Sequence, residues 1–227
     1  MKFDGFLKLM DRLLGEDGCP WDREQTHETL RQYLLEECYE VIEAINSSDV
    51  DALREELGDV LLQVIFHAKL AEKAGSFCMD DVIDAVSHKL VSRHTHVFGD
   101  DKAASGDEVI KIWQENKEKE RSQTPVQAMN AVPRALPALV RAAKVLSRSK
   151  REMPVPRDIV AGIRERLDRL EEGLVGDGVA GQAHNDGGDG GRVLGELLLE
   201  LVMLGKVLKI DPEFALVEAV EEFIAGA

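Results

Sequence analysis

The sequence predicts an all-α protein, a helical bundle, and three observations predict it. Apolar residues recur at intervals of three and four, as in Leu34, Leu35, Cys38, Val41, Ile42 and Ile45 and again in Leu53, Leu57, Val60, Leu61 and Val64. The composition is rich in Leu and Ala, both strong helix formers. Alternating β-branched runs, the mark of half-buried strands, are few. The periodic segments place helices over residues 3–15, 27–46, 49–74, 79–92 and 106–120. Ser47-Ser48-Asp49 supplies the turn and the N-cap between the second and third of these. Pro125, Pro133 and Pro137 punctuate a junction, and a second helical region runs from about residue 137 to the C-terminus. A stretch over 173–191, rich in Gly, Asp and Asn, reads as a flexible loop interrupting that region.

The chain of 227 residues is long enough for one large or two small domains. With 43 acidic against 28 basic residues, the net charge is −15, which repels phosphate polymers and excludes broad binding of nucleic acid. A small phosphorylated substrate remains compatible, because a cation and a few local bases can reverse the field inside one pocket. Cys19, Cys38 and Cys78 are odd in number and lack zinc spacing, so a reduced, cytoplasmic setting is expected. The start, Met1-Lys2-Phe3-Asp4-Gly5, has no apolar signal region. The longest apolar stretch, 197–208, is too short for a membrane span and contains Glu200 and Lys206, so no membrane association is expected.

Two acidic clusters carry most of the functional information: Glu36-Glu37-Cys38-Tyr39-Glu40 and Glu55-Glu56-Leu57-Gly58-Asp59. Glu37 and Glu40, and likewise Glu56 and Asp59, stand three residues apart and so project from one side of a helix. If the two helices pack antiparallel, four carboxylates converge, and their repulsion is costly unless a hard divalent cation such as Mg²⁺ neutralises it. The competing reading is a solvated acidic face. Against it, Arg54 is the only base near the second cluster, and the first has none between Gln32 and Ile45.

Further motifs extend the pattern: Cys19-Pro20-Trp21-Asp22, Gln25-Thr26-His27, Phe66-His67 and Arg93-His94-Thr95-His96-Val97-Phe98. With the two acid pairs, in this order over residues 1–125, they resemble the MazG nucleoside triphosphate pyrophosphohydrolases. The resemblance implies an α-helical bundle, usually a homodimer, that uses Mg²⁺ to hydrolyse a nucleoside triphosphate to monophosphate and pyrophosphate in nucleotide-pool house-cleaning. By motif it implies Glu37, Glu40, Glu56 and Asp59 as metal ligands and Lys89, Arg93, Trp113 and Lys117 as triphosphate-binding positions. Glu36 and Glu55, spare acids beside the ligands, are the candidates for orienting or deprotonating the attacking water. Trp21 either stacks on the nucleobase or anchors the N-terminal loop. His94 and His96 either touch phosphate or hydrogen-bond locally at a helix end. The family usually has Pro where this chain has Thr95, which is expected to loosen that turn.

The two halves read as tandem, diverged copies of one unit, 1–125 and 126–227. Gly58-Asp59-Val60-Leu61-Leu62-Gln63-Val64 has a counterpart in Gly195-Glu196-Leu197-Leu198-Leu199-Glu200-Leu201. In that register, with Ile210-Asp211-Pro212-Glu213 as a second anchor, the metal-ligand positions fall on Arg166, Arg169, Val193 and Glu196, and the basic pair on Glu222 and Gly226. Two arginines in place of acids repel a cation. The first copy is therefore expected to carry catalysis and the second to be degenerate. Two other functions stay open from sequence: a narrower pyrophosphohydrolase acting on dUTP, dCTP or phosphoribosyl-ATP, and a non-catalytic helical dimer that binds nucleotides or protein.

Overall fold

The computed structural model describes residues 2–176 and 189–226, and all of its regular elements among these are helices. Contacts divide the chain into two compact units, Met1–Lys119 and Glu120–Ala227. Among the described residues, no helix is long and apolar enough to cross a membrane.

The first unit holds α1 (Phe3–Leu14), α2 (Pro20–Glu24), α3 (Arg31–Asn46), α4 (Val50–Lys73), α5 (Met79–Arg93), α6 (Thr95–Phe98) and α7 (Gly106–Arg121), which runs across the division. α3 and α4 form an antiparallel hairpin. The three-residue turn between them closes because Asp49 accepts from the Asp51 and Ala52 amides, capping α4, while Ser48 takes a left-handed backbone with φ 57°. The core sits below the hairpin, where Met10 of α1 and Ile65 of α4 are fully buried with Leu30, Phe66, Ala68 and Met79. Lys69 pins α1 to α4, its Nζ 2.7 Å from Asp11 and 2.9 Å from Glu72. The chain leaves α1 through Gly18, where a Cβ would stand 2.1 Å from the Leu13 carbonyl oxygen, so only glycine permits this close return.

α3 begins at Arg31 rather than at residue 27. The four residues before it are claimed by threonine side chains: Thr26 Oγ1 accepts from the Glu28 and Thr29 amides, and Thr29 Oγ1 accepts from the Thr26 amide. Such local bonds compete with helix for the same backbone groups. The short α2, with Pro20 at its first position, is an element the apolar spacing does not announce.

The second unit holds α8 (Pro125–Asn130), α9 (Ala138–Arg148), α10 (Pro156–Gly176), α11 (Asp189–Leu208) and α12 (Pro212–Ala225). α10 and α11 pack along each other as α3 and α4 do, and α9 and α12 both contact α11. Val132, Ile159, Val193, Leu197 and Val202 are buried there. The loop expected over 173–191 is shorter than its composition suggests, because α10 continues to Gly176 and α11 starts at Asp189. Its remainder, 177–188, lies outside the described residues.

Candidate active site

The turn between α3 and α4 fixes which faces of the two helices meet, and it brings the acid pairs together. Carboxylate oxygens of Glu37, Glu56 and Asp59 lie within 4.8 Å of one another, all three side chains being half-buried. Glu40 is more exposed and outside this tight group, yet it is close enough to both Glu37 and Glu56 to raise their carboxyls. Glu36 and Glu55 are exposed beside the cluster.

Packing the acids this closely has an electrostatic cost. Burial, then the Asp59 charge, then Glu40 raise the Glu37 carboxyl above the ordinary value of 4.5. Burial, then the charges of Glu40 and Asp59, raise Glu56 in the same way. The donor set is all oxygen and all acidic, which suits a hard divalent cation and not a soft one.

The sign of the pH dependence follows. In the native metal-free state Glu37 and Glu56 hold protons more tightly than in the unfolded chain, so this site favours folding at low pH and opposes it increasingly as pH rises above the ordinary carboxylate value. Glu37→Gln removes one of the charges. Without metal, the melting temperature of the variant relative to wild type should therefore climb as pH is raised through the ordinary carboxylate value of 4.5 and level off once Glu37 is ionised in the folded chain. Differential scanning fluorimetry in chelator checks this, and a pH-independent difference would contradict it.

A second group gathers at the end of α5. The Arg93 guanidinium lies 5.2 Å from the centroid of the Trp113 ring on α7, and Lys117 Nζ lies 4.7 Å from the same ring. Cation–π contact with one indole orders both bases. Arg93 is buried, whereas Lys89, one turn earlier, is exposed at the edge of a shallow groove with Phe77, Val82 and Val86. Trp21 is half exposed and packs edge-on against Tyr33, with ring centroids 5.8 Å apart. His94 Nδ1 is 2.7 Å from the Leu90 carbonyl oxygen, a hydrogen bond at the helix end.

Thr95 does not leave its turn loose. Its hydroxyl donates to Asp101 and accepts from Asn116 Nδ2 at 2.9 Å, tying α6 to the loop after it and to α7. Sequence reasoning missed this stitch, since nothing in the spacing of Thr95, Asp101 and Asn116 announces it. It also missed the pairing of His27 with His67, whose rings stack with Nδ1 atoms 2.8 Å apart.

In the second unit the packed pair α10 and α11 sets arginines against its acids. Arg166 Nη1 on α10 is 2.7 Å from Glu200 Oε1 and its Nε is 3.3 Å from Glu196 Oε2, while Arg192 reaches Glu196 at 3.0 Å. Arg166 and Glu196 meet across α10 and α11 as Glu37 and Asp59 meet across α3 and α4.

Residues 25–98, the segment that contains the acid cluster and Arg93, match the family described as the MazG nucleotide pyrophosphohydrolase domain. Among curated proteins, the chain is 36% identical over 225 residues to the nucleoside triphosphate pyrophosphohydrolase/pyrophosphatase MazG of Thermotoga maritima, spanning 98% of this chain and 82% of that protein. It is 39% identical to the nucleoside triphosphate pyrophosphohydrolase of Escherichia coli K12, again over 98% of the chain, and covers 84% of that protein. It is also 39% identical over 222 residues to the uncharacterized protein YabN of Bacillus subtilis, but spans only 45% of that protein's length. Likeness of this extent, running through both units and centred on the acid-bearing hairpin, places the chain in the MazG family of nucleotide pyrophosphohydrolases.

Proposed function

We propose that the chain hydrolyses nucleoside and deoxynucleoside triphosphates, canonical or damaged, to monophosphate and pyrophosphate, with Mg²⁺ held by Glu37, Glu40, Glu56 and Asp59. The observation that carries this reading is the convergence of Glu37, Glu56 and Asp59 within 4.8 Å inside the family-matched segment. Mg²⁺ bound there supplies charge neutralisation for the phosphates and acidifies water. Arg93 and Lys117, held on the Trp113 ring, and Lys89 take phosphate oxygens, and their fixed positive charge favours the more anionic transition state. Glu36 or Glu55, exposed beside the ligands, orients the water that opens the α–β anhydride linkage.

Homodimer formation belongs to the same proposal. Leu35 and Tyr39 on α3 and Leu57, Leu61 and Val64 on α4 form exposed apolar stripes on the acid-bearing hairpin, of the kind that a second copy covers.

The deciding experiment is turnover of the eight common nucleoside triphosphates with Mg²⁺, with products identified. Pyrophosphate plus monophosphate supports the proposal, and orthophosphate plus diphosphate rejects it. Activity confined to one base would favour the narrower enzyme.

The basic group makes its own prediction. Arg93→Ala should raise KM for the triphosphate on the order of tenfold and leave Mg²⁺ affinity close to wild type, because a guanidinium meets phosphate oxygens and not the ion. Trp113→Leu should reproduce part of that loss through the misplaced Arg93 and Lys117. Steady-state kinetics with separate cation titration checks both, and unchanged KM in each would make these bases surface charges.

A further inference from the structure

α4 carries one polar side chain deeper in the bundle than its acids. Gln63 follows Asp59 by four residues and so stands on the same face, one turn further in. It is only 6% exposed, and its buried Oε1 has no hydrogen-bond partner. A buried carbonyl oxygen left unpaired is costly and is uncommon unless something outside the protein fills the need.

The second unit indicates what lies within reach of that position. Glu200 follows Glu196 as Gln63 follows Asp59, and Arg166 stands in the register of Glu37. There the positive charge between the helices is the Arg166 guanidinium, and it is contacted by Glu196 and, more closely at 2.7 Å, by Glu200. In the second unit the residue in the register of Gln63 thus contacts the positive charge between the helices through Oε1, while its Oε2 is buried without a partner. Mg²⁺ bound by carboxylates keeps several waters, and those waters need acceptors. An amide oxygen accepts from them without adding a fifth negative charge to Glu37, Glu40, Glu56 and Asp59. A glutamate suits the second unit, where Arg166 pairs with it and Arg192 pairs with the neighbouring Glu196.

We propose that Gln63 is a positioning residue of the divalent-cation site, its Oε1 accepting a hydrogen bond from a water in the shell of the bound ion. The inference rests on the reading of Glu37, Glu56 and Asp59 as cation ligands. The rival is a purely internal role, in which a structural water joins Gln63 Oε1 to His67 Nε2, which is also buried without a partner, four residues along α4.

The test is Mn²⁺ binding to the full chain, followed by calorimetry and by electron paramagnetic resonance, in wild type, Gln63→Leu, Gln63→Glu and Asp59→Asn. Gln63→Leu should weaken Mn²⁺ about tenfold while the metal-free melting temperature holds or rises, because an orphaned polar atom has been removed. Gln63→Glu, which keeps an acceptor, should bind at least as tightly as wild type. Wild-type affinity in Gln63→Leu would overturn the inference, as would a fall in metal-free melting temperature with no rescue by Gln63→Glu. If Gln63→Leu does not fold, Gln63→Met supplies the same comparison. Wild type that binds no Mn²⁺ would overturn the cation site itself and this inference with it, whereas binding lost in Asp59→Asn but kept in Gln63→Leu would overturn the inference alone.

Discussion

Asp59→Asn is expected to cut Mg²⁺-dependent pyrophosphate release on the order of a hundredfold or more while the bundle still folds. Asp59 stands at the meeting of the two helices, its carboxylate grouped with those of Glu37 and Glu56 and its charge helping to raise both. The amide keeps the shape and half the acceptors but removes one negative charge, and charge is what a hard cation takes from such a site. Removing that charge also relieves repulsion when the metal is absent, so metal-free Asp59→Asn should melt no lower than wild type. Loss of activity with retained or higher metal-free stability identifies a ligand. Loss of both would mark Asp59 as a structural residue, and wild-type turnover would remove it from the site.

The acid pairs were legible in the sequence because helical spacing alone puts Glu37 with Glu40 and Glu56 with Asp59. Their convergence needed only one more fact, a hairpin turn short enough to force antiparallel packing, and Ser47-Ser48-Asp49 supplied it. What periodicity could not show are contacts between residues far apart in sequence or set by local side-chain chemistry. The start of α3 was misplaced because Thr26 and Thr29 hold the backbone in turns whose apolar spacing still looks helical. Thr95 looked like a loosened turn because its partners, Asp101 and Asn116, are recruited by tertiary position. Gln63 enters the sequence only as one member of a repeated segment, since one glutamine in an apolar stripe reads as an imperfection and its buried, unpartnered oxygen is a tertiary feature. The Gly-rich segment was read too long because helices can begin and end on glycine when packing against a neighbouring helix supports them, as α10 and α11 do for each other.

Glu37→Gln/Glu56→Gln in the full-length chain is expected to abolish pyrophosphate release, and Arg166→Met to leave it within about twofold of wild type, because the proposed catalysis resides in the first unit. The contrast rests on one register read across two hairpins. Where the first unit sets Glu37 against Asp59, the second sets Arg166 against Glu196 and Glu200, with Arg192 adding a second positive charge. A guanidinium already between those carboxylates leaves neither the room nor the charge for a divalent ion. Val193, which the proposed register matches to a ligand position, is apolar and buried. Arg166 nonetheless matters to the fold. Its partners are largely covered, with 33% and 18% of their side chains exposed, so Arg166→Met strands Glu200, leaves Glu196 with Arg192 alone, and should lower stability by about 1–3 kcal/mol in chemical denaturation, less than a fully buried pair would lose. The two readouts therefore move in opposite directions in the two variants: activity without loss of metal-free stability for the acids, stability without activity for the arginine. Substantial pyrophosphate release by the double variant would place the chemistry in the second unit and break the register on which Arg166 was matched to Glu37.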